Sequence, residues 1–192
     1  MCIRPRSVTL NHMQADVLAA ARERFKQAGK AGMSVERLPS GGLLDEVHKT
    51  IKRLQQGPAP PSERRDAVGA LIEALSFGQL PGGHGEETIL VVARNRSREI
   101  IAAAHIIAPA WPHLPRVLKI VNMGSLQPGG GTHLVVFAAL IAAERGLDSI
   151  TLTADLNTNA VAFYRAMGGR LTGQGRIDFD GPTISELTKG LL

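Results

Sequence analysis

The spacing of apolar positions changes near residue 86. Before it, apolar residues recur every three or four positions, the period of an amphipathic helix. Residues 43–56 carry Leu43, Val47, Ile51 and Leu54, and residues 62–77 carry Val68, Leu71, Ile72 and Leu75. Ser62, after Pro60 and Pro61, is placed to cap the second of these helices. Residues 13–28 are rich in Ala, Gln, Glu and Arg, which favour helix. Segments 39–42 and 57–61 are Pro/Gly-rich connections, and Pro81 to Gly85 closes this half. After it, the spacing predicts strands over 88–93 and 100–108, joined by the polar turn 94–98. A strand over 116–123, a helix over 132–145 ending at Gly146, and a strand over 149–154 follow. A helix over 158–167 ends at Gly168 and Gly169, and two late strands, about 170–178 and 182–188, flank Phe179-Asp180-Gly181. Strands alternating with helices predict an α/β protein with a mixed sheet. The expected division is a helical region over 1–85 and an α/β core over 86–192.

Composition narrows the class. A chain of 192 residues suits one domain with a helical appendage. The longest apolar stretch, 134–143, is too short to span a bilayer. Arg4 and Arg6 are not followed by an apolar stretch of the secretory kind. Cys2 is the single cysteine, which excludes an internal disulfide and a cysteine-based metal site. The expectation is a cytoplasmic protein with no membrane partner. Residues 1–66 hold twelve Lys and Arg against seven Asp and Glu, whereas the rest of the chain holds ten of each. That basic region either attracts an anionic partner, RNA or a phosphorylated cofactor, or forms solvated helix faces with interspersed acids.

Two segments carry candidate chemistry. The first is Gln127-Pro128-Gly129-Gly130-Gly131-Thr132-His133-Leu134, a glycine loop that opens an apolar helix. Exposed amides of Gly129, Gly130, Gly131 and Thr132, with the positive end of the helix dipole, suit an anion such as a pyrophosphate. Three consecutive glycines also form a plain turn. His133 in the first helical turn reads as a packing or solvent-facing residue, because a protonated ring there opposes the dipole. The second segment is Asn157-Thr158-Asn159-Ala160-Val161-Ala162-Phe163-Tyr164, which holds the only tyrosine of the chain. Seven residues are about two helical turns, so Asn157 and Tyr164 share one face, with the small Ala160 between them.

Together these segments, over roughly residues 88–190, resemble the GNAT N-acetyltransferase superfamily. The family's loop pattern is Gln/Arg-x-x-Gly-x-Gly/Ala. With Gly129 and Gly131 as its glycines, Leu126 takes the first position. With Gln127 first, Gly130 takes the fourth and Thr132 replaces the final Gly/Ala. The resemblance implies a mixed, mostly antiparallel central sheet flanked by helices, here with an extended helical amino-terminal region. It implies acetyl-CoA as cosubstrate, no metal, and direct attack by a primary amine. Val121, Asn122 and Met123 are expected to line the cofactor arm, and a backbone amide among them to polarise the carbonyl. Gly129, Gly130, Gly131 and Thr132 are expected to cradle the pyrophosphate. Asn157, or Asn159 in its place, contacts the arm, and Tyr164 is the catalytic acid toward the departing thiolate.

The acceptor amine is left open among a small molecule, a protein and an aminoacyl-tRNA. No carboxylate stands near Pro115 and Arg116, where some relatives place a base, so Glu99, His105 and His113 are the candidates. A water chain, or an amine that arrives neutral, needs none. A non-catalytic acyl-CoA-binding module is the alternative reading. The family begins with a strand and two helices. Residues 7–10 offer the strand, and the three helices after it exceed the pattern, either as a wall for the acceptor or as a homodimer surface.

Overall fold

The computed structural model describes residues 12–30, 32–38, 44–58, 62–80, 82–156 and 159–192. In chain order the elements are α1 (His12–Lys30), β1 (Ser34–Leu38), α2 (Asp45–Gln56), α3 (Ser62–Phe77), β2 (Glu86–Arg94), β3 (Ile100–Pro109) and β4 (Val117–Ser125). Then come α4 (Gly130–Glu144), β5 (Ser149–Thr153), α5 (Ala160–Ala166), β6 (Arg170–Leu171), β7 (Arg176–Asp180) and α6 (Gly181–Thr188). The sheet has the order β1-β2-β3-β4-β5-β7-β6. Only the β4–β5 pair is parallel.

Helices cover both faces of the sheet, which is why residues 89–93 of β2 are buried without alternation. On one face Val47 of α2 and Leu71, Ala74 and Leu75 of α3 pack on Leu90, Val92 and Ala103. On the other, α4 is buried nearly all round, and Leu18 and Ala21 of α1 and Ile184 and Leu187 of α6 join it over Ile89, Val91 and Ala104.

Two sequence expectations are corrected, and one strand that the sequence did not mark is added. The segment 34–38 is a strand, paired antiparallel with β2 from Ser34↔Arg94 to Leu38↔Leu90. Its period-two signal is weak because Val35 and Leu38, its two apolar residues, face opposite sides of the sheet. In the chain α1 precedes β1, and α2 and α3 follow it. The strand expected over 7–10 lies outside the described residues. The expected strand over 182–188 is helix α6. Asp180 caps it, accepting from the Thr183 amide at 3.0 Å and the Thr183 hydroxyl at 2.7 Å, and Pro182 sits in the first turn. The buried set Thr183, Ile184, Leu187 and Thr188 has helical spacing. The strand expected over 170–178 is the short β6, a turn, and then β7, which runs on through Phe179 and Asp180.

Candidate active site

The site begins with a mismatch in register. His105 pairs with Asn122, but Ile106 pairs with Ile120, so Val121 has no opposite residue. This is a β-bulge, which bends the strand and re-aims the bulged residue. Val121 is 45% exposed. Pairing of β4 with β5 stops at Ile120↔Leu152, while β4 continues to Ser125 against β3 alone. The two parallel strands therefore part at the bulge, and the β5-facing edge of residues 121–125 has no strand on it.

A cleft of about 1010 Å³ fills this opening. Val121, Asn122 and Met123 of β4 line it with Leu152, Thr153, Ala154 and Asp155 at the end of β5, and Asn159, Ala160 and Tyr164 of the α5 segment. Two anticipated parts of the site, the bulged strand and the tyrosine helix, thus meet in one cavity. Asn157 lies outside the described residues. Asn159 is the N-cap of α5 but makes no side-chain capping bond.

Tyr164 is 7% exposed, and its hydroxyl has no hydrogen-bond partner among the described residues. Burial pushes the phenol up to about 12, so it carries its proton through the physiological range. The ring is held edge-on to Phe163, with centroids 5.0 Å apart. The cleft wall at this point is therefore a protonated phenol.

The glycine loop follows β4 directly and starts α4. Gly129 is the N-cap with φ 86°, a left-handed conformation that glycine adopts without strain. The Gly130 amide donates to the Gln127 carbonyl at 3.2 Å and the His133 amide to the Gly129 carbonyl at 3.1 Å. The amides of Gly129, Gly131 and Thr132 have no acceptor among the described residues. Three free amides at the start of a 15-residue helix fit a phosphate group. Added Cβ atoms test the crowding. At Gly130 one would come within 3.1 Å of the Ala102 Cβ, and at Gly131 within 3.3 Å of the Phe163 ring. Gly131 therefore also spaces α4 from α5.

The helices before residue 86 were offered as a wall for the acceptor, but no residue of the remaining wall was singled out. Helix α3 contributes Arg65, Asp66, Ala67, Gly69, Ala70 and Glu73. Asp66, Gly69 with Ala70, and Glu73 fall three to four residues apart, which places them on one side of the helix. Gly69 costs the helix about 1 kcal/mol relative to alanine, yet a Cβ there would meet nothing within 4 Å. Packing does not require that glycine, and it opens onto the cleft. A mid-helix glycine between two acids seven apart is the sequence signal that could have pointed here.

The expected base candidates lie elsewhere. Glu99 sits in the β2–β3 turn, where Arg53 donates to it at 2.6 Å and Asn95 at 3.0 Å. His113 packs against Trp111 in the β3–β4 loop, with ring centroids 5.4 Å apart and the planes tilted by 40°. His133 packs between α4 and α1, 5.8 Å from the Phe25 ring and 3.4 Å from the Arg24 carbonyl, in keeping with its packing reading. His105 is buried below α3, and neither ring nitrogen has a partner.

Burial holds both His105 and His133 below the ordinary histidine value of 6.5. For His133 the bond to the Arg24 carbonyl works weakly the other way. The unfolded chain thus takes up protons first as pH falls, so this contribution to stability is held above about pH 6.5 and lost below it. His105→Leu removes one of these groups together with its two orphaned nitrogens. Denaturant unfolding at about pH 5 and about pH 8 should show His105→Leu flattening the acid loss, with a gain at pH 5 of about 1 kcal/mol or more. An unchanged difference between the two pH values would remove His105 as a cause.

Neither a protein-family model nor a curated relative matches the chain. Solved structures do match. A tyrosine-to-phenylalanine mutant of the AtaT toxin, bound to the C-terminus of the antitoxin AtaR, is 15% identical over 82% of this chain and 98% of that one, with a TM-score of 0.53. The same mutant toxin alone is 13% identical over 83% and 95%, with a TM-score of 0.52. A GCN5-related N-acetyltransferase from Kribbella flavida is 16% identical over 78% and 98%, at 0.48. The chain has the fold of the GNAT acetyltransferases.

Proposed function

We propose that this protein transfers an acetyl group from acetyl-CoA to a primary amine. The observation that carries the reading is Tyr164, a largely buried residue that lines the same cleft as the β4 bulge and whose hydroxyl has no partner among the described residues. In this reading the free amides of Gly129, Gly131 and Thr132 hold the pyrophosphate, with Gly130 giving the turn its close approach. The bare edge of Val121, Asn122 and Met123 takes the arm, and Asn157 contacts it. An amide at the bulge stabilises the charge that develops on the carbonyl oxygen. Tyr164 protonates the sulfur as it leaves.

The two faces of the sheet divide the work. The glycine loop starts α4 on one face, and α3 covers the other. The cosubstrate therefore enters from the α4 side, and the amine comes along α3. This makes α3 the wall of the acceptor site, while α1 packs on the α4 face. Holding both reactants in one cleft supplies much of the rate.

Binding is tested by melting. At about a hundred times its dissociation constant, acetyl-CoA adds about 2.7 kcal/mol to the folded state. For a domain of this size that is a rise of about 5–10 °C. Gly129→Ala meets only ordinary contact, 3.6 Å from the His133 ring, but strains a left-handed φ by about 1–2 kcal/mol. It should lower the melting temperature by a few degrees and cut the acetyl-CoA shift by half or more. A shift equal to the parent's would take the loop out of the site.

A further inference from the structure

The cleft lacks an evident acceptor for the proton an amine must lose. The β4 residues that line it, Ile120 to Ser125, include no carboxylate and no histidine. The charged or titratable groups facing it are Arg65, Asp66 and Glu73 on α3, Asp155 after β5, and Tyr164 on α5. Tyr164 is protonated and is assigned to the leaving sulfur. Asp155 is engaged in an interaction of its own. Asp66 and Glu73 remain, both exposed and without a partner among the described residues.

Their places on α3 separate them. The backbone of Ala70 and Leu71 rests directly on Gly124. Gly78 rests on Leu90, which lies in the row Leu90–His105–Asn122. The helix thus runs from the row of Gly124 toward the row of Asn122, next to the bulge at Val121. Glu73 falls between these two rows, on the cleft side. Asp66 is two turns back, about 10 Å along the axis. Gly69, one turn before Glu73, leaves open space beside it.

We infer that Glu73 of α3 is the proton acceptor of the reaction, facing Tyr164 across the site of transfer. The inference rests on the acetyl-transfer reading. An incoming ammonium gives one proton to the Glu73 carboxylate. The neutral nitrogen forms the C–N bond to the acetyl carbon while the C–S bond breaks. The sulfur takes the Tyr164 proton, and the second nitrogen proton restores the phenol. Glu73 then loses its proton to water. The balance is one ammonium and one thioester in, and one amide, one thiol and one proton out. The second observation pointing to a ligand here is Tyr164 itself, more than nine-tenths buried and lining the same cleft without a partner. The amine expected is aliphatic and protonated in solution, since an amine that arrives neutral gains nothing from a base.

The test is release of free CoA thiol from acetyl-CoA by the full chain, with a panel of aliphatic mono- and diamines, between about pH 6 and about pH 10. Glu73→Gln should lose about 10²-fold in kcat near neutral pH, the size of a positioned base. It should recover as pH nears the pKa of the amine. Glu73→Asp should restore part of the loss. The acetyl-CoA melting shift should be that of the parent in both variants, because α3 lies on the face away from the loop. Activity of Glu73→Gln within about threefold of the parent, or a rise in KM alone with an unaltered pH profile, would overturn the assignment and leave acetyl transfer standing. If the parent releases no CoA with any amine although acetyl-CoA raises its melting temperature, the transfer reading falls and Glu73 falls with it.

Discussion

Tyr164→Phe should leave acetyl-CoA binding near normal and cut turnover by about 10²-fold or more. Phenylalanine keeps the ring that packs edge-on to Phe163 and removes only the hydroxyl, which makes no hydrogen bond among the described residues. No packing energy is lost, so the variant separates chemistry from structure. The loss should fall on kcat more than on KM, because the proton is needed as the sulfur departs. A readily leaving thiolate softens the effect for unhindered amines, so the full loss is expected with hindered ones. The phenol, pushed up to about 12, stays protonated across the usual assay range. No alkaline loss of rate should therefore trace to Tyr164 below that value. The same shift has a stability consequence. The folded chain keeps this proton longer than the unfolded chain, whose tyrosine titrates near 10. That stabilisation is complete below about pH 10 and is lost as pH rises toward 12. Parent-like turnover by Tyr164→Phe on its best amine would end the acid assignment.

Gly124→Ala should be the most destabilising single-methyl change in the acceptor wall. A Cβ on Gly124 would lie 2.6 Å from the carbonyl carbon of Ala70 and the Cα of Leu71, both backbone atoms of α3. Backbone cannot swing away as a side-chain tip can, so the helix must lift from the sheet. Overpacking of this kind costs about 3 kcal/mol, which for a domain of this size is a fall of about 6–12 °C in Tm. The damage should extend to function, because a lifted α3 moves Glu73 away from the bulge. Thermal unfolding gives the first readout and the KM for amine the second. A Tm within about 2 °C of the parent would show that α3 does not rest on β4 as described.

The part of the fold built from local signals was legible in the sequence. Strands 88–93 and 100–108 sit inside β2 and β3, and the helix expected over 132–145 is α4 shifted by two residues at its start. The tyrosine helix and the strand before the glycine loop were placed, and both line one cleft. What escaped depends on long-range contact. β1 has five residues with two apolar side chains on opposite faces, so only its pairing with β2 makes it a strand. Residues 182–188 are threonine- and isoleucine-bearing and read as strand, yet the Asp180 cap and Pro182 override that preference. The lining residues of α3 were hidden for a similar reason. Gly69 and Glu73 look like an ordinary solvent face until the bulge opens the sheet beside them. The base candidates at Glu99 and His113 were chosen by residue type, and tertiary structure carries both away from the cleft.

The most direct measurement for the central claim is acetyl transfer itself. The purified full chain is incubated with acetyl-CoA and an aliphatic amine, free thiol is followed by its absorbance adduct, and the amine is weighed by mass spectrometry. The account predicts thiol release dependent on both amine and protein, matched one for one by amine carrying an added acetyl group, and nearly abolished in Tyr164→Phe. Acetyl-CoA that raises the melting temperature of the parent yet yields no thiol and no acetylated product with any amine tried would contradict it, and would make the cleft a binding site without transfer.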